Sequence, residues 1–165
     1  MATYSTTLSA TLISPLTDVE RISGWNKKFV IPYSTVALAS ATTVTDVVTV
    51  VLGSSPANWA VGRARACITT AFTTTGTGTL TVQVGSTSSV AAFISAQSVL
   101  TVATLGQAST MDQLTNCTAT AAVSLVATFT SAGEAGLSVL TAGSITVLLN
   151  VDDIGDKASI YQPNQ

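Results

Sequence analysis

Arg63 and Arg65, in the run Val61-Gly-Arg-Ala-Arg-Ala-Cys-Ile68, are the most informative charges in this chain. Alternation puts both on one strand face, with Ala64, Ala66 and Ile68 on the other. A planar guanidinium can hold a carboxylate through two parallel hydrogen bonds, so the pair suits anchoring of an acidic partner. A solvated strand face accounts for the same spacing. Trp25 and Trp59 stand beside polar, turn-like sequence, where tryptophan either anchors an interface or packs at the rim of a core. Leu12, Ile13, Leu16 and Ile22 punctuate a polar N-terminal stretch and argue that it docks on something.

Chemistry of other kinds lacks its parts. The chain has no histidine, which removes the commonest general base and metal ligand. Cys67 and Cys117 lie far apart, without histidine, and make a poor zinc set. Both are expected as free, small, buried side chains. Asp152, Asp153 and Asp156 could touch a calcium ion, but no glutamate closes the pattern. A solvated turn that blunts a strand edge explains them better. Gly76-Thr-Gly78 has no lysine after it and is no phosphate loop. The expectation is a non-catalytic protein with no cofactor and no metal.

The elements that carry these residues are strands. Leu80, Val82 and Val84 alternate with Thr79, Thr81 and Gln83. With the arginine run and the intervening Thr75-Gly-Thr-Gly78, they read as one β-hairpin over residues 61–85. Strand patterns also cover 25–38, with Pro32 marking an edge or a bend, and 43–52, 98–105, 118–130 and 144–151. In the last of these Ile145, Val147, Leu149 and Val151 share a face. Val90, Phe93 and Ile94 fall at helical spacing behind a run of serines, which predicts one short helix within 87–96. Thr17-Asp-Val-Glu20 fits a capping box for a single helical turn. About seven to nine strands with Gly-, Ser- and Thr-rich turns predict an all-β antiparallel sandwich of jelly-roll type. Residues 1–24 are expected as an extended N-terminal arm, 25–156 as the sandwich domain and 157–165 as a polar tail.

Composition narrows the function classes. Of 165 residues, 47% are hydrophobic and 8% charged, well below the usual quarter. Thr, Ser, Asn and Gln must therefore cover the surface. Low mutual repulsion suits a protein that lives in an assembly. A net charge of −2 supplies no field for nucleic acid. No run is long and apolar enough for a membrane-spanning helix, and aromatics are too sparse for the girdles of a membrane barrel. The opening residues lack a secretory signal pattern, so synthesis in a cytoplasm is expected.

The run Arg63-Ala-Arg-Ala to Thr70-Ala-Phe72, then Gly78-Thr-Leu-Thr-Val-Gln-Val-Gly85-Ser-Thr and Ala92-Phe93-Ile94, resembles small β-rich virion proteins of tailed bacteriophages. Gly24-Trp25-Asn-Lys-Lys-Phe29 and Leu140-Thr-Ala-Gly143-Ser-Ile-Thr-Val147 extend the resemblance over roughly residues 25–152. Several such proteins are capsid decoration (cement) proteins. The resemblance implies a jelly-roll-like body, often trimeric, on the capsid exterior where subunits of the major capsid protein meet. A neck, tail or fibre component, or a carbohydrate-binding sandwich, remain alternatives. The candidate partner-binding set is Leu12, Ile13, Leu16, Ile22, Trp25, Trp59, Arg63 and Arg65.

Overall fold

A computed structural model describes residues 2–7, 15–39, 46–55, 59–100, 104–108, 122–133 and 136–153. Strands β1 (Ala2–Thr7), β3 (Asp46–Ser55), β5 (Gly78–Ser86), β6 (Ser89–Ser98) and β8 (Val123–Gly133) form one sheet, in the order β1-β3-β8-β5-β6. Strands β2 (Lys27–Pro32), β4 (Trp59–Thr73), β7 (Thr104–Ala108) and β9 (Ala142–Asp153) form the other, in the order β2-β9-β4-β7. Two short helices, α1 (Asp18–Ile22) and α2 (Tyr33–Ala39), and a 3-10 turn over Leu137–Val139 complete the described elements. The fold is the expected all-β sandwich, antiparallel apart from the β1–β3 pair.

One core lies between the layers. Val48, Val50 and Leu52 of β3, Leu125, Ala127 and Phe129 of β8, and Leu80, Val82 and Val84 of β5 face it from the five-stranded sheet. Phe29 and Ile31 of β2, Ile145, Val147 and Leu149 of β9, and Ala64, Ala66, Ile68 and Phe72 of β4 face it from the other. Each set follows the alternation seen in the sequence, because a half-buried strand presents every second side chain to the same side. Phe72 meets Phe129 across the layers, with ring centroids 5.7 Å apart.

Four expectations are corrected. The run 61–85 is not a hairpin: β4 pairs with β9 and β7, and β5 pairs with β8 and β6, in opposite sheets. The Thr/Gly tract is a corner between layers. Buried Val99 occupies that corner, accepting from the Phe72 amide at 3.0 Å and donating to the Leu80 carbonyl at 3.1 Å. Those backbone groups are thereby satisfied without β4 and β5 pairing.

The helix expected within 87–96 is strand β6, and the hairpin is β5–β6, turning at Thr87-Ser88. Its register shifts between Val82/Val84 and Val84/Ser86. Such shifts break the strict alternation, and the consecutive Phe93 and Ile94 are both buried. A bulged strand thus imitates helical spacing. The strand expected over 25–38 ends at Pro32, where helix α2 begins and buries Val36. Pro32 does close an edge strand, as its missing donor requires.

The N-terminal arm does not stand apart from the body. Residues 2–7 are extended, but they pair in parallel with β3, from Ala2 opposite Asp46 to Thr7 opposite Val51. An extended polar segment carries unmet donors and acceptors, and the open edge of β3 satisfies them. Residues 8–14, which include Leu12 and Ile13, lie outside the described part.

Candidate functional site

The candidate site is the outer face of the four-stranded sheet, where α1 and the following turn lie. Register sets its rows. Lys28 on β2 stands opposite Leu148 on β9, which stands opposite Arg65 on β4. One row away, Asn150 stands opposite Arg63. These positions alternate with the core-facing ones, so the outward placement of both arginines holds.

Helix α1 starts as its sequence indicates. The Thr17 hydroxyl accepts from the Glu20 amide at 3.3 Å, and the Glu20 carboxylate accepts from the Thr17 amide at 2.7 Å. The same carboxylate takes Lys28 Nζ at 2.9 Å, tying the helix to β2. Gly24 then turns the chain at φ +82°. That angle favours glycine, and a β-carbon there would also displace the tip of Arg63. Arg63 Nη2 donates to the Ser23 carbonyl at 2.6 Å, and Asn150 Nδ2 donates to the Gly24 carbonyl at 2.6 Å.

This turn lays Trp25 onto the sheet. Its residue is 6% exposed, yet it lies outside the central core cluster, as does buried Leu148. The Arg63 guanidinium carbon sits 4.9 Å from a Trp25 ring centroid and that of Arg65 sits 5.5 Å away. A guanidinium over an indole is held by dispersion and by the ring quadrupole, about 0.5–1 kcal/mol where solvent reaches it. Arg65 Nε is buried without a hydrogen-bond partner.

Of the sequence candidates, the structure joins Trp25, Arg63 and Arg65 in one cluster, with Ile22 beside it on α1. Of the two readings of Trp25, the structure shows packing against its own sandwich. Leu16 is half-buried and Ile22 is exposed. Trp59 opens β4 opposite Asp153, and its side chain lies outside the described part. The arginine pair is partly engaged within the chain, Arg63 by Ser23 and both by Trp25. Cys67 is free and half-buried, and Cys117 lies outside the described residues.

Sequence reasoning missed Asn26. Its Nδ2 donates to the Val151 carbonyl at 2.7 Å, and its Oδ1 accepts from the Val151 amide at 2.9 Å. The side chain thus imitates a strand neighbour and continues the β2–β9 ladder by one position. Asn26→Ala is expected to destabilise by about 1–2 kcal/mol, for two neutral hydrogen bonds. Urea unfolding with an unchanged m-value would measure it.

The Lys28 ammonium, and next the Thr17 amide, hold the Glu20 carboxyl below its ordinary pKa. A depressed folded pKa gives stability that is present above the unfolded carboxyl value and fades as pH falls through the folded one. Glu20→Gln is therefore expected to lower stability at neutral pH and to change nothing well below the folded pKa. Surface pairs that solvent still reaches contribute about 0.2–1 kcal/mol, so the pH-resolved difference should be small.

Among the described residues no group of three or more His, Cys, Asp or Glu could hold a metal, and no helix is long and apolar enough to cross a membrane. No protein-family model, curated protein or solved structure matches this chain.

Proposed function

We propose that this protein is a structural component of a tailed-bacteriophage particle, a decoration or cement protein that binds the major capsid protein shell from outside. The observation that supports this reading is the weakly charged body. In the described strands of the five-stranded sheet the one charged residue is Asp46. A surface of Thr, Ser, Val and Ala offers little repulsion between copies and suits close packing in an assembly. The sequence resemblance points the same way. In this reading the protein has no catalytic activity and self-associates as a trimer.

Counting copies in purified particles tests the proposal. A copy number comparable to that of the major capsid protein supports a shell component. A number an order of magnitude lower would reassign the protein to the neck, tail or fibres. Light scattering of the pure chain tests self-association, against a monomer mass of 16.7 kDa.

A further inference from the structure

The basic residues are not scattered. The chain has six, and five of them, Arg21, Lys27, Lys28, Arg63 and Arg65, lie on α1, β2 and β4 of one layer; the sixth is Lys157. The overall net charge of −2 hides this concentration. Four acidic residues, Asp18, Glu20, Asp152 and Asp153, lie on α1 and on β9 of the same layer. Glu20 is paired with Lys28, and on α1 and β4 Asp18 is the acidic residue that remains beside Arg21, Arg63 and Arg65. Asp152 and Asp153 stand at the end of β9, opposite Ala60 and Trp59.

Beside the cations lies an apolar pair. Val19 and Ile22 are 74% and 86% exposed, the two most exposed large hydrophobic residues among those described. They are three positions apart on α1 and so share a side of the helix. Nothing in local folding demands them there, since Glu20 fastens the helix to Lys28 and Thr17 caps it. Ser23, directly after Ile22, accepts from Arg63. The end of α1 that carries Ile22 is therefore held at the Arg63 guanidinium.

We propose that this surface, Val19 and Ile22 with Arg21, Arg63 and Arg65, docks a protein segment that carries carboxylates next to aliphatic side chains. Trp25 holds the two guanidiniums in place before a partner arrives, which lowers the ordering cost of binding. Arg63 uses one N–H group on Ser23 and keeps others for an incoming carboxylate, in the forked geometry that carboxylates fit. Aliphatic side chains of the segment would cover Val19 and Ile22. Charge complementarity selects the acidic partner, and the apolar pair selects protein over a bare polyanion. The inference deepens the proposal above by naming the face turned to the shell, yet its chemistry is independent of copy number.

The full chain should be titrated, by calorimetry at low salt, with a synthetic peptide alternating Glu and Leu and with its Gln/Leu counterpart. Saturable binding of the Glu peptide, weakened about tenfold or more by Gln replacement or by Arg63→Gln, is expected. Ile22→Asp places a like charge at a position too exposed to affect folding, and should weaken the Glu peptide at least as much. No binding of the Glu peptide, equal binding of both peptides, or unchanged affinity in Arg63→Gln and Ile22→Asp would overturn the proposal. So would tighter binding of duplex DNA or of phosphatidylglycerol vesicles than of the Glu peptide. A failed peptide titration with a shell-like copy number would remove this surface and leave the assembly role standing.

Discussion

Phe72→Ala is expected to lower stability by about 3–5 kcal/mol, the usual range for deleting a buried aromatic ring. The ring is 1% exposed and touches Phe129 of the opposite sheet, at an interplanar angle of 45°. It therefore fills the gap between the layers rather than a pocket within one. Its floor is Gly143, where an added β-carbon would lie 2.4 Å from the ring and where φ is +136°. Gly143→Ala should destabilise on its own, through overlap and backbone strain. The two changes should not add. With the ring gone, the new methyl group enters vacated space, so the double variant should lose less than the sum of the single losses. Urea denaturation of the four proteins measures this. Full additivity would mean that the ring and Gly143 do not share one packing site. For a domain stable by about 5–15 kcal/mol, the single Phe72 change already removes a large share.

The same ring shows what was legible in the sequence and what was not. Ala64, Ala66 and Ile68 are buried as alternation indicated, and so are Ile145, Val147, Leu149 and Val151. Alternation reports which face of a strand is inward and is blind to which strand lies beside it. Hence β4 and β5 were legible as strands, but their separation into two sheets was not. The Thr/Gly corner at 74–77 has the composition of a hairpin turn, and the decisive contact, Val99 between Phe72 and Leu80, is non-local. The central strands, β8 of one sheet and β9 with β4 of the other, are set by pairing rather than by composition. At the candidate site the arginine spacing and the Thr17/Glu20 capping box were local signals and held. That Trp25 sits against both arginines depends on the Gly24 turn and the Asn26–Val151 bonds, which join residues 125 positions apart. No window of sequence contains both ends of that contact.

Trp25→Ala carries the other large expected effect, about 3–5 kcal/mol, by loss of a buried indole and its cover. The residue is 6% exposed although it lies outside the central core cluster, and the two arginines cover its ring. Removing the ring takes away the surface on which two guanidiniums rest, at about 0.5–1 kcal/mol each. Part of the loss should return with Trp25→Phe, which keeps an aromatic face while shedding area. The order of stability should therefore run Trp, Phe, Ala. Arg63→Ala should cost less in the Trp25→Ala background than in the native chain, because its stacking partner is already gone. Equal costs in both backgrounds would show that Arg63 is held by Ser23 alone. A loss below about 1 kcal/mol for Trp25→Ala would show that residues 15–26 unfold separately from the sandwich. Hydrogen exchange at the Trp25 amide, which donates to the Glu20 carbonyl at 3.0 Å, would distinguish the two cases. If the segment and the sandwich form one cooperative unit, that amide should be protected to the same extent as the β9 amides. In the Trp25→Ala variant protection at position 25 and in β9 should then fall together, whereas a fall at position 25 alone would show separate unfolding.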